Sequence, residues 1–136
     1  MHIQTLTEPF YADAIALWHE TGLTRPWNDA AADLRRALEG ADSTVLGALD
    51  GETLTATAMV GHDGHRGWVY YLAVAPALQK QGLGRKMMAA CEDWVRSQRI
   101  PKIQLMVRAD NSAAAGFYQS LGYTDAEVLV LGKRFS

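Results

Sequence analysis

The stretch that most restricts what this chain can fold into runs from Trp68 to Val107. Trp68 to Val74 is an apolar run of strand length that stops ahead of Pro76, and Gln79-Lys80-Gln81-Gly82-Leu83-Gly84-Arg85 then turns the chain into a helix. Leu83, Met87, Cys91, Trp94 and Val95 form one face of that helix, which ends near Gln98, while Arg85, Lys86, Asp93 and Arg96 stay off it. Ile103, Leu105 and Val107 alternate in the next strand. A strand, helix, strand crossover leaves its two strands parallel and is right-handed, so the glycine turn lies at the carboxyl end of the first strand. There several backbone N–H groups and the positive end of the helix converge, which suits phosphate. Taken alone, the Gly82/Gly84 pair reads equally as a tight strand-to-helix turn.

Hairpin signals surround this crossover. His2 to Thr7 alternates as a short strand, and Glu8 to Thr21 carries Phe10, Ala14, Leu17 and Trp18 on one helical stripe that Gly22 ends. Asn28 or Asp29 can cap a second helix bearing Ala30, Leu34, Ala37 and Leu38. Thr44 to Leu49 and Thr53 to Val60 read as strands joined at Asp50-Gly51, and a second hairpin turns within Gly61 to Gly67. Asn111 caps a last helix, Gly122 closes it, and Glu127 to Leu131 is expected as a final strand. The resulting class is α/β (α+β): a mixed, mostly antiparallel central sheet with one parallel crossover and about four flanking helices.

With 136 residues, 49% hydrophobic and 21% charged, the chain suits a single domain spanning 1–136 with a sizeable core. Its apolar stretches are broken well short of a membrane span, no basic segment leads into an apolar one at the start, and a cytoplasmic protein is expected. A formal net charge of -2 without a lysine/arginine cluster gives nucleic acid no electrostatic footprint. One cysteine, Cys91, excludes an internal disulfide and a cysteine-based zinc site, and its place on the apolar helix face makes it a core thiol.

Downstream of the glycine turn stand Asn111, Ala114, Phe117, Tyr118, Gly122 and Tyr123 in the pattern Asn-x-x-Ala-x-x-Phe-Tyr-x-x-x-Gly-Tyr. Together with Gln-x-x-Gly-x-Gly at 79–84, this resembles the GNAT superfamily of N-acetyltransferases, and the order of elements resembles the GNAT fold over nearly the whole chain. Arg25 to Asp29, Asp63 to Gly67 and Leu131 to Arg134 further resemble the YpeA-like bacterial subgroup, which narrows the relatives without naming an acceptor.

The resemblance implies an enzyme that moves acetyl from acetyl-coenzyme A to a primary amine, with no metal. It implies that a distortion of the strand over Tyr71 to Val74 lets the N–H of Leu72 serve the acetyl oxygen, and that Val74 holds the pantetheine arm. Gln79, Gln81, Gly82, Leu83, Gly84 and Arg85 would cradle the pyrophosphate, where a β-carbon would block close approach. Tyr118 falls on the family's general-acid tyrosine, a phenol protonated at neutral pH. On its helix alone it reads first as a core aromatic beside Phe117, Leu121 and Tyr123. Asn111 would both cap its helix and hydrogen-bond the pantetheine.

Several family members carry a glutamate on this strand, four residues before the oxyanion donor; here that residue is Trp68, and the strand holds no carboxylate. His65 and Asp63, with His62, are the nearest titratable groups, and solvent-exposed turn residues are the alternative. A metal on His62 and His65 lacks a third ligand of matching spacing. Arg25, Trp27, Asn28 and Asp29 fall in the segment that in the family forms part of the acceptor pocket, for a small-molecule or peptide amine. A homodimer is left open. The missing glutamate also admits a second class, a coenzyme A or acyl-coenzyme A binding sensor with reduced catalysis.

Overall fold

In the computed structural model, which describes residues 1–135, one five-stranded sheet has the order β1 (His2–Thr5), β2 (Ser43–Asp50), β3 (Thr53–His62), β4 (Gly67–Val74) and β5 (Ile103–Leu105). The first three junctions are antiparallel and the last is parallel, as the crossover requires. Gly51 supplies φ +62 at the turn after Asp50, and Asp50 pairs with Thr53. Before the hairpins come α1 (Tyr11–Glu20), entered through a 3-10 turn at Glu8–Phe10, and α2 (Ala30–Glu39). Asp29 caps α2, its carboxylate accepting from the Ala32 N–H at 3.1 Å. The crossover helix is α3 (Leu83–Ser97), and α4 (Ser112–Ser120) follows.

Backbone contacts divide the chain into two units, residues 1–106 and 107–136. The sheet, α1, α2 and α3 all lie in the first. Its core is built from apolar helix stripes against the sheet: Trp18, Leu34, Val45, Val60, Met87, Met88 and Val95 are fully buried. Cys91 joins them, and burial first, then the Glu92 charge, pushes its thiol up to about 12. Close packing also explains Gly67, where an added Cβ would meet Val95 Cγ2 at 2.7 Å.

In the second unit, Asn111 caps α4 by accepting from the Ala114 N–H at 3.0 Å, and Gly122 takes φ +94 beyond its end. The final strand expected over Glu127 to Leu131 does not form among the described residues. Asp125 Oδ1 accepts from the Glu127 N–H at 2.7 Å, and Glu127 sits at φ +56, which breaks extended geometry at its first residue. Val128 to Leu131 are therefore exposed and irregular despite strong strand propensity. Val107 likewise lies beyond the end of β5.

No helix among the described residues is long and apolar enough to cross a membrane.

Candidate active site

Strand β4 is interrupted where the oxyanion donor was expected. Thr57 faces Ala73 and Met59 faces Tyr70, so Tyr71 and Leu72 together oppose Ala58, one residue too many for the ladder. Tyr71 takes up the excess at φ +52. Such a bulge withdraws backbone groups from strand pairing, and the peptide it disturbs is the one carrying the Leu72 N–H.

The same strand runs on into the glycine turn. After a 3-10 turn at Pro76–Leu78, Lys80 adopts φ +65 and Gly82 φ +84, and Gly82 is the N-cap of α3. Lys86 N–H is the donor to the Gly82 carbonyl at 3.1 Å, so the N–H groups of Leu83, Gly84 and Arg85 precede the first bond of the helix ladder. A Cβ built on Gly82 would meet nothing within 4 Å, so the turn opens to a ligand. Lys80, Arg85 and Lys86 are exposed around it. Gln79 Nε2 donates to the Val74 carbonyl at 3.2 Å, which ties the turn to the strand end. Free N–H groups, a left-handed glycine and three cations suit a pyrophosphate.

On the first unit a cavity of about 800 Å³ is lined by residues of α2, β2, β3 and β4, including Tyr70, Tyr71 and Trp68. Its charged walls are the carboxylates of Asp33, Asp42 and Asp63 against the single guanidinium of Arg36. Asp33 pairs with Arg36 through one oxygen and accepts from the Tyr71 hydroxyl at 2.8 Å through the other. Desolvation first, then this hydrogen bond and the Asp33 charge, raise the Tyr71 phenol to about 12. Neither Asp33 nor Tyr71 stood out in the sequence: 38 residues separate them, and only folding joins α2 to the bulge.

The turn between β3 and β4 is organised by Asp63. One oxygen accepts from the backbone N–H of Arg66 (2.8 Å) and His65 (2.9 Å), and the other from Trp68 Nε1 (3.3 Å). These bonds hold the carboxyl down at about 2, the Arg66 N–H contributing most. His62 also lines the cavity: its Nδ1 accepts from the Gly64 N–H at 3.0 Å, and its Nε2 lies 3.5 Å from Asp42. His65 is exposed on the turn and is not among the cavity's walls. No group of three or more His, Cys, Asp and Glu side chains among the described residues is arranged to hold a metal.

The loop before α2 divides its residues. Asn28 borders the main cavity, whereas Arg25 and Asp29 line a smaller one of about 490 Å³, which Asn28 also borders. Arg25 donates to the Gly22 and Thr24 carbonyls, both at 2.8 Å, and Trp27 is 57% exposed. In the second unit, Tyr118 is half-buried on α4, edge-on to Phe117 and Tyr123.

Residues 10–123 match the model of the acetyltransferase (GNAT) family. An acetyltransferase of Yersinia pestis (strain Pestoides F) is 35% identical over 134 residues, 98% of this chain and 95% of that protein. Among solved structures, AAC(6')-Iy in complex with the bisubstrate analog CoA-S-monomethyl-acetylneamine superposes with a TM-score of 0.83, covering 99% of this chain and 98% of its own at 14% identity. A transcriptional regulator from Bacillus halodurans C-125 gives 0.84 at 17% identity, covering 98% and 99%. At such identities these two likenesses speak for the fold.

Proposed function

The chain belongs to the GNAT family of acetyltransferases, and on that premise we propose that it moves the acetyl group of acetyl-coenzyme A onto a primary amine by direct attack. The observation that carries the reading is the succession along one segment of chain of the bulge at Tyr71-Leu72, within β4, and the left-handed turn at Gly82 beyond its end. An oxyanion donor and an anion cradle are thereby built into one segment.

In this reading Gln79, Gln81, Gly82, Leu83, Gly84 and Arg85 hold the pyrophosphate, Val74 and Asn111 hold the pantetheine, and the Leu72 N–H polarises the thioester carbonyl. Tyr118 gives its phenolic proton to the departing thiolate. His65 takes the amine proton through water, and Asp63 fixes the turn that presents it. Three carboxylates against one guanidinium, with Trp68 and Tyr70 beside them, make the cavity a favourable place for an ammonium-bearing acceptor. Arg25, Trp27, Asn28 and Asp29 border the acceptor's path.

The test is calorimetric titration with acetyl-coenzyme A, followed by a screen of amines, peptides and lysine-containing substrates for thiol release. Binding together with thiol release matched by acetylated amine is expected. Failure to bind acetyl-coenzyme A overturns the reading. Trp68 at the position of the usual glutamate favours a second reading, a coenzyme A sensor with reduced catalysis, which binding without turnover on any amine would establish.

A further inference from the structure

Tyr71 holds a left-handed backbone that a tyrosine adopts only where its surroundings over-determine it. Three contacts do so. Its ring stacks on Trp18 with centroids 4.0 Å apart and planes 16° from parallel. Its hydroxyl donates to Asp33 Oδ2 on the first turn of α2 at 2.8 Å. Its carbonyl accepts from the hydroxyl of Thr57 at 3.0 Å. That hydroxyl is itself oriented, because its oxygen accepts from Trp18 Nε1 at 2.8 Å, and both Trp18 and Thr57 are fully buried.

The third contact bears on chemistry. The Tyr71 carbonyl and the Leu72 N–H belong to one peptide unit, and no peptide bond among the described residues is cis. In a planar trans peptide the carbonyl and the N–H point in opposite directions. Whatever grips the Tyr71 oxygen therefore aims the Leu72 N–H away from Thr57 and the core. An ordinary strand would fix that direction through its ladder, but at the bulge the register is interrupted.

We propose that Thr57 is a positioning residue for the acetyl-transfer reaction: its buried hydroxyl, set by Trp18, fixes the peptide that presents the Leu72 N–H to the thioester oxygen, with Asp33 holding the Tyr71 hydroxyl. This rests on the acetyltransferase reading above. It assigns no substrate contact to Thr57 itself. Oxyanion donors act through preorganised direction, so loosening the peptide lowers turnover while the remote cradle keeps its affinity.

Thr57→Val keeps the side-chain shape and deletes the hydroxyl. The expected result is a fall in kcat of about tenfold, with the acetyl-coenzyme A dissociation constant unchanged. Thr57→Ser restores the hydroxyl and recovers most of the loss. In amide NMR spectra, acetyl-coenzyme A shifts the Leu72 resonance in the unmodified protein and no longer does so to the same extent in Thr57→Val. Unchanged kcat in Thr57→Val, or equal losses in the Val and Ser variants, overturns the proposal, since only packing would then be at stake. Should Thr57→Val not fold, Tyr71→Phe keeps the stack on Trp18 and deletes the hold from Asp33; a severalfold loss of kcat at unchanged affinity is expected, and wild-type kcat overturns the proposal. If the unmodified protein neither binds acetyl-coenzyme A nor releases thiol, it is the acetyltransferase reading that fails, and this inference with it.

Discussion

Tyr118 lies with its ring 5.0 Å from Phe117 and 5.9 Å from Tyr123, centroid to centroid, both in tilted, edge-on geometry. Those contacts belong to the ring and survive in Tyr118→Phe, which removes only the hydroxyl. If the phenol protonates the departing thiolate, that variant loses on the order of 10²–10⁴ in kcat with little change in acetyl-coenzyme A binding. Stopped-flow turnover with an identified acceptor checks this, and full chemistry-limited turnover would leave Tyr118 as a packing residue. Asp63 poses the opposite case. Its carboxyl is held down at about 2 by hydrogen bonds from Arg66, His65 and Trp68, so near neutrality it is too weak a base to hold a proton. A depressed folded-state pKa contributes stability that is present above the ordinary value of 3.8 and is lost as pH falls through about 2. Asp63→Asn should accordingly melt below the unmodified protein at pH 7. The gap in melting temperature should close as pH falls from about 4 toward 2, and a gap independent of pH would detach the carboxylate's charge from the turn.

At the scale of elements, the strand-to-helix turn shows what one glycine supports. Gly82 at φ +84 has free space where a β-carbon would stand, so a larger residue meets no clash with protein atoms. It is opposed by its backbone angle, by about 1–2 kcal/mol, and would intrude on whatever binds the α3 N–H groups. Gly82→Val should thus fold with modestly lowered stability and lose the thermal shift produced by acetyl-coenzyme A. Equal ligand shifts in the two proteins would remove the cradle. This turn was legible in the residues because Pro76, Gly82 and the stripe from Leu83 to Val95 are local signals, as were the parallel crossover and the Asp29 and Asn111 caps. The bulge was legible only through family likeness. Nothing in Val69 to Ala73 marks it, since a tyrosine prefers extended backbone and φ +52 at Tyr71 is imposed by Trp18, Thr57 and Asp33 from three other elements. For the same reason the cavity's Asp33 and Tyr71 had no sequence signature, while Asp63 and His65, two positions apart in one turn, did.

Across the whole molecule, burial is distributed unevenly, and the misread terminal strand follows from that. Among the described residues, every fully buried large side chain, from Trp18 to Val95, belongs to the unit spanning residues 1–106. Within α4 no residue is fully buried, and Leu129 and Leu131 are each 90% exposed. A run such as Glu127 to Leu131 has the composition of a strand, but a strand exists only through a neighbour's backbone, and local propensity cannot report whether one is present. The two pictures of this segment differ measurably. As an exposed chain, Leu129→Ala or Leu131→Ala shifts unfolding free energy by no more than about 0.5 kcal/mol. As a paired strand with one face covered, truncating whichever leucine faces inward would cost about 2–5 kcal/mol, the range for leucine-to-alanine changes in a packed core. Leu34→Ala on α2, 1% exposed within the first unit's core, supplies the internal standard and is expected in that upper range. Denaturant melts of the three variants compare them directly: near-zero changes at Leu129 and Leu131 beside a large one at Leu34 are expected. A cost above about 1 kcal/mol at either terminal leucine would mean that the segment packs as the strand its composition suggested.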